Sequence, residues 1–519
     1  MASETTEVLF ARYGPRYRWY ATLTVMLGTI SAVLTTTSVN VAIPDIMGTF
    51  GIGQDRAQWL ATGALAAMTV AMLLNDWLIR SFGQRRTFIG ALGVFIASLV
   101  LAGFSPNDSV LIFCRIVQGA VAGMLQPLSM YTLFRVFPPE SRGSAMGIFG
   151  ISVILGPALG PTMGGVMIEH FNWRYVFFVA VPFSAAGMLL GSLFMPEREE
   201  TEARANFDWT GFVLLSTALV ALLVGLSNGQ REGWYADRIL ALWGIAIVSA
   251  AAFFAWELRV PRPLVDFKLL ANSRFAAAAA VSAIFGAGLF GSVYLVPLFV
   301  QTIQHLTPLA AGLLLMPAGL VLALFLPIGG FLSDRLPARG LIITGLLCFS
   351  VSSYWLGSVD VNTPFWTIAW CVVVSRVGLG LIKPALAVTA LRALRAESLG
   401  QGAGMINFFR QLGGAFGVNT LSVMLDRRTF FHGNALANAQ TAANSGTAEY
   451  LRQMQDLLAR AGVPPEMQMP GALHFLDRMV YAQAYTLGFR DSFLIVALVF
   501  ALALIPAWIM GRTRAGHSA

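Results

Sequence analysis

Four ionisable residues sit inside long apolar runs of this chain, and all four are basic: Arg115, Arg376, Lys383 and Arg410. No Asp or Glu lies comparably deep in such a run. A charge placed there is costly, and by default it belongs to a working site. The chemistry open to such a set is recognition of anions, or electrostatic control of a proton bound elsewhere. Group-transfer chemistry is not indicated. The histidines at 170, 305, 432, 474 and 517 are scattered, with neither metal-ligand spacing nor a nucleophile partner. Cys114, Cys348 and Cys371 form no CxxC pair and no disulfide framework. No enzyme, metal site or cofactor is expected.

The elements that must position these residues follow from composition. With 56% hydrophobic and 12% charged residues, 519 residues cannot cover a soluble globule with polar surface, so the bilayer is the expected solvent. Fourteen apolar stretches are long enough to cross about 30 Å of hydrocarbon, the first near 19–43, the thirteenth near 401–425 and the last near 491–511. An even count puts both termini on one side. Placing them in the cytoplasm gathers Arg80, Arg85, Arg86, Arg259, Arg262, Lys268 and Arg274 into inner loops, and leaves Arg56, Arg174, Arg231 and Arg238 to short outer loops. This is the positive-inside pattern, and it accounts for the net charge of +8 without nucleic acid. The amphiphilic N-terminus lacks a signal-peptide core and cleavage site, and reads as a cytoplasmic tail.

Two internal echoes suggest a duplicated bundle. "DWLIRSFGQRRTFIGAL" from 76 is matched by "GFLSDRLPARGLIITGL" from 330, and "FCRIVQGAVAG" from 113 by "VSRVGLGLIKP" from 374. Repeated bundles that rock about a central site are the plan of many secondary transporters. The expected divisions are an N-tail at 1–18, a six-helix bundle at 19–194, two linking helices within 195–274, a second six-helix bundle at 275–511 and a C-tail at 512–519. Within the second bundle, 426–489 reads as a polar outer segment holding one amphipathic helix, with Leu451, Met454, Leu457 and Leu458 along one side.

A further stretch, "ILGPALGPTMGGVMI" at 154–168, carries Gly156, Gly160 and Gly164 at a four-residue interval, with Gly165 beside them. Such a stripe lets another helix backbone approach closely. Pro157 and Pro161 fall on a neighbouring stripe, where they deform the helix.

Taken in order, "VNVAIP", "RIVQGAVAG", "LGPALGPTMGG", "WELRVPRPLVDFKLL", "GFLSDRLPAR", "FFRQLGGAFG" and "RDSF" resemble the motifs of the major facilitator superfamily. The chain is similar to that family's fourteen-span drug:proton antiporters of the EmrB multidrug-export type. The resemblance implies an all-α membrane fold of two six-helix bundles plus two linking helices. It implies export of hydrophobic compounds across the bacterial inner membrane, powered by the proton gradient, alongside an EmrA-like periplasmic adaptor and an outer-membrane channel.

By the same resemblance, Arg115 and Gln118 occupy the position linked to proton coupling. Gly156, Pro157, Gly160, Pro161, Gly164 and Gly165 form the antiporter hinge. A central cavity is expected among Thr35, Asn40, Gln126, Gln301, Arg376, Lys383 and Arg410. A cytoplasmic gate is expected at Asp76, Arg80, Gly330, Asp334 and Arg335.

Two departures matter. Where relatives read "LDxTxxNVAxP", this chain reads "LTTTSVNVAIP", so Thr35 replaces a carboxylate. In the first copy of the loop motif, Asp76 stands for the usual Gly and Arg80 for the usual Asp, an order suited to a helical ion pair. A basic cavity without a carboxylate favours neutral or anionic amphipaths over lipophilic cations. An uptake symporter and a non-transporting receptor or scaffold are the competing expectations.

Overall fold

A computed structural model describes residues 5–510, apart from 58, 198–206, 262 and 442–443. The C-tail, Arg262, the start of the linking region and the first residues of the N-tail lie outside the described residues. So do the side chains of Pro157 and Pro161.

Every regular element among the described residues is helical. In hydrocarbon each backbone N–H and C=O must be paired within its own segment, and long apolar runs satisfy that as helices. The long helices are α1 (Tyr17–Phe50), α2 (Trp59–Ala71), α3 (Asn75–Gly103), α4 (Asp108–Val136), α5 (Arg142–His170), α6 (Val181–Phe194), α7 (Trp209–Glu232) and α8 (Asp237–Glu257). They continue as α9 (Ser273–Thr302), α10 (Pro308–Arg335), α11 (Ala338–Leu356), α12 (Phe365–Arg392), α13 (Leu399–Ala439), α14 (Ser445–Arg460) and α15 (Pro465–Leu502). Among the described residues, eleven helical runs are long and apolar enough to cross a membrane.

Side-chain caps start several of them. Asn107 accepts from Val110 N, Asp208 from Gly211 N, Asn272 from Arg274 N and Thr307 from Ala310 N, each pairing a backbone donor the helix leaves free. Gly51 ends α1 in the left-handed region, and Gly83, at φ 79°, breaks the Asn75–Gly103 run.

The first helix outruns its expected end at 43, because Pro44 is carried inside it. The outer segment differs more. Rather than a loop around one helix, 426–489 is largely a continuation of its neighbours: α13 runs to Ala439 and α15 starts at Pro465. At 41 residues, α13 is roughly 60 Å long, about twice a hydrocarbon core. With α14 these ends make a helical projection. Leu458 of α14 packs on Gly471 of α15, while Leu457 is 56% exposed.

Helices α1–α6 pack together, as do α9–α15. Of the linking pair, α7 lies against α2 and α13, and α8 packs on α7. The two halves meet along two seams, one where α5 packs on α10 and α12, the other where α3 and α4 meet α13.

Candidate functional site

Between the halves is a cavity of about 40 Å³, walled by Gln126 and Met130 of α4, Met146 and Phe149 of α5, Ser282 and Phe285 of α9, Lys383 of α12, and Asn407 and Arg410 of α13. Lys383 and Arg410 are the charged side chains on its wall, and no carboxylate lines it among the described residues.

The backbone under Arg410 is fixed by glycine. A Cβ at Gly286 would run into the Arg410 carbonyl, and one at Gly413 into Ala283, so α9 and α13 touch backbone to backbone. Ser282 Oγ donates to Ile406 O at 2.9 Å across the same contact. From this platform Arg410 Nη2 donates to Gln126 Oε1 at 2.5 Å, joining the two halves. One turn earlier, Asn407 Nδ2 lies 3.5 Å from Met130 Sδ, also across the halves. The Arg410 Nε is buried without a partner.

The structure thus brings together Gln126, Lys383 and Arg410 of the expected cavity residues. The others lie elsewhere. Arg376, 5% exposed, is buried with its Nη1 unpartnered and does not line this cavity. Thr35 is buried and donates to Ser31 O of its own helix at 2.9 Å, which occupies its hydroxyl locally. Asn40 is exposed. Gln301 follows Phe285 by sixteen residues on α9, which sets it roughly 24 Å further along the helix.

Arg115 is 1% exposed and belongs to the interior of the first half. Its Nε donates to Leu60 O at 3.0 Å and its Nη1 to Gln118 Oε1 at 3.1 Å, while Gln118 Nε2 donates to Ser98 O at 3.3 Å. Neutral oxygens from α2, α3 and α4 therefore hold the pair. Gly119 and Gly123 let α4 close on the backbone of Ala64 and Met68 beside it.

The glycine stripe of α5 faces α1. A Cβ at Gly156 would strike Val33, at Gly160 Thr37 and at Gly164 Ser38, and Thr37 Oγ1 donates to Gly156 O at 2.9 Å. Gly165 faces open space. This stripe packs against α1, within the first half. The contact with the other half is made earlier on α5, by Gly143, Gly147 and Gly150 against Leu326, Gly330 and Ser333 of α10.

There Asp334 accepts from Gly143 N at 2.6 Å, from Ser144 N at 2.8 Å and from Ser144 Oγ at 2.6 Å. It caps the positive N-terminus of α5 from the opposite half. Arg335 instead lies over the Phe331 ring, 3.9 Å from its centroid. In the first motif copy, Arg80 Nε pairs with Asp76 at 2.8 Å, and Arg80 Nη2 donates to Glu397 O at 2.5 Å.

Gly143, Ser144 and Asn407 are site residues that motif reading passed over. Their signals were present: "ESRG" at 140–143 is echoed by "ESLG" at 397–400, and Asn407 stands one turn before Arg410 on the same face.

Two helical bundles in a bilayer, meeting at a small internal cavity and clamped together at one end, define a secondary transporter rather than an enzyme. The chain belongs to the Major Facilitator Superfamily, whose family model matches residues 25–418. It is 28% identical to the "Multidrug export protein EmrB" of Haemophilus influenzae, over 94% of each chain. It is 26% identical to the "Fatty acid resistance protein FarB" of Neisseria gonorrhoeae, over 94% of this chain and 95% of that one. A solved structure of the proton:xylose symporter XylE superposes with TM-score 0.62 at 15% identity, covering 96% of both chains, which shows the shared fold. It is a multi-pass protein of the bacterial inner membrane.

Proposed function

We propose that this transporter exports neutral or anionic hydrophobic amphipaths by alternating access, exchanging them for protons that enter down their gradient. The carrying observation is the cavity, where Lys383 and Arg410 line apolar walls without a carboxylate among the described residues. In a low-dielectric site two cations repel a lipophilic cation and attract an oxyanion. The names of the relatives, multidrug export and fatty acid resistance, support an amphipathic cargo.

The same reading has fourteen crossings with both termini in the cytoplasm. It is supported by the gathering of Arg80, Arg335 and Arg392 at the clamped end of the bundles. The proton gradient is the energy source and no cofactor is needed. Arg115 with Gln118 remains the candidate pair for proton coupling. Because a guanidinium keeps its proton, Arg115 would act through its fixed charge on a proton carried elsewhere. An EmrA-like adaptor leading to an outer-membrane channel is the proposed partner, with the projection at 426–489 as its contact.

Proteoliposomes carrying a pH-sensitive dye test this with dodecanoate, a neutral drug and ethidium. Proton movement with the acid or the neutral compound, lost in Arg115→Ala, is the expected result. Movement of ethidium as readily as dodecanoate would overturn the proposed selectivity.

A further inference from the structure

Of the Arg410 guanidinium nitrogens, Nη2 is engaged and Nε is idle. Nη2 is held by Gln126 of the opposite half, whereas Nε is buried and unpartnered on a residue that lines the cavity. An idle buried donor on a cation is costly, and a guanidinium edge matches a carboxylate with two parallel hydrogen bonds. A neutral amide such as Gln126 makes a weaker partner than a carboxylate would. Lys383, with no hydrogen bond among the described residues, adds a second cation on the same wall.

The cavity itself is too small for an amphipath. At about 40 Å³ it falls far below the roughly 300–1,000 Å³ of pockets that enclose drug-sized ligands. A chain-bearing anion can therefore be held only if α4 and α13 separate here. Among the described residues, the hydrogen bonds that join them at this level are the Arg410–Gln126 bond and the weaker Asn407–Met130 contact. Since α13 is bound backbone to backbone to α9, the two move as one body away from α4.

We infer that Arg410 receives the oxyanion headgroup of the substrate, and that its bond to Gln126 is a latch between the halves which the headgroup opens by taking Gln126's place. The inference rests on the proposed reading that anionic amphipaths enter this cavity, and it adds the recognising residue and the means of release.

The test uses the full chain in lipid nanodiscs. Calorimetry compares dodecanoate with dodecanol and dodecyltrimethylammonium, three heads on one chain length. Spin labels at the exposed positions Phe82 and Leu336, one in each half, report the separation of the halves. Arg410→Lys keeps the charge and loses the paired edge, so dodecanoate should bind about tenfold to a hundredfold more weakly, with dodecanol unchanged. Gln126→Leu should bind dodecanoate about threefold to tenfold more tightly and show, without ligand, the label distance that dodecanoate induces in the wild type. Gln126→Glu should hold the latch shut, losing dodecanoate binding and leaving the label distance fixed.

If wild-type protein prefers dodecanoate but Arg410→Lys and Gln126→Leu bind and move as it does, the latch is overturned and the anionic reading stands. If wild-type protein binds dodecanoate no better than dodecyltrimethylammonium, the anionic reading itself fails.

Discussion

The two seams between the halves are built from one repeated plan and closed by opposite chemistry. At the α5–α10 seam, Gly330 lets the backbones of Gly143 and Gly147 come into contact, and the Asp334 carboxylate accepts hydrogen bonds from the start of α5. At the α3–α13 seam the corresponding positions hold Asp76 and Arg80. The Asp76 carboxylate fills the space against Gly400, where an added Cβ would lie 2.6 Å from its Oδ1. Arg80 donates to the Glu397 carbonyl just before α13. At the first seam a negative charge accepts from helix N–H groups; at the second a positive charge donates to the carbonyl of Glu397, in the short 3-10 helix before α13. The first arrangement matches the positive end of a helix dipole, while the second sets a cation near such an end and keeps Asp76 beside it as compensation. The α5–α10 seam is therefore expected to be the stronger clamp, and the α3–α13 seam the one that parts first.

The largest effect should therefore come from Asp334→Ala. It removes three hydrogen bonds to one carboxylate and leaves Gly143 N and Ser144 N uncapped, a loss of about 2–4 kcal/mol in the closure of that seam. Label distances between Phe82 and Leu336 should shift decisively toward the open form. Gly330→Asp, which copies the second seam onto the first, should follow at about 1–3 kcal/mol, because its Cβ meets the Gly143 carbonyl. If Gly330→Asp closes as tightly as the wild type, the Gly/Asp difference is not what separates the seams. Third is Arg115→Met, which empties a clamp inside the first half. It should lower the melting temperature by an amount equivalent to about 1–3 kcal/mol and leave the label distance between the halves unchanged.

Parts of this contrast were legible in the sequence. Lys383 and Arg410 stand out because a charge in an apolar run is conspicuous, and helix α14 because its apolar residues keep a helical period. The Asp76 and Arg80 exchange was visible from the motif alone. The partnership of Arg410 with Gln126 was not, since periodicity tells which face a residue is on but not which helix, 284 positions away, faces it. The neighbour of the glycine stripe at 156–164 was hidden for a related reason: small residues announce a close neighbour without naming it, and here it is α1. The projection was misjudged because polar residues on long helices look like a loop when hydropathy is the guide. The α13 and α15 helices keep their backbone bonds whether or not lipid surrounds them.

The smallest effect sharpens the contrast most. Asp76→Gly gives the second seam the residue the first has at Gly330. Losses of side-chain contacts and of helix propensity oppose a gain in packing. The Asp76–Arg80 pair, with side chains 22% and 43% exposed, contributes about 0.3–0.5 kcal/mol at most once solvent screening is allowed for. A glycine near the start of α3 costs up to about 1 kcal/mol in helix propensity. Against these, the space beside Gly400 is freed for closer backbone approach, as at Gly330. Thermal stability should move by about 1 kcal/mol or less, so the readout is the seam itself: labels across α3 and α13 should report a narrower distribution. Raising the salt concentration should weaken the wild-type Asp76–Arg80 pair and leave Asp76→Gly unaffected. If Asp76→Gly instead loosens this seam as much as Asp334→Ala loosens the other, the exposed ion pair carries far more than its exposure allows, and the two seams are alike in strength after all.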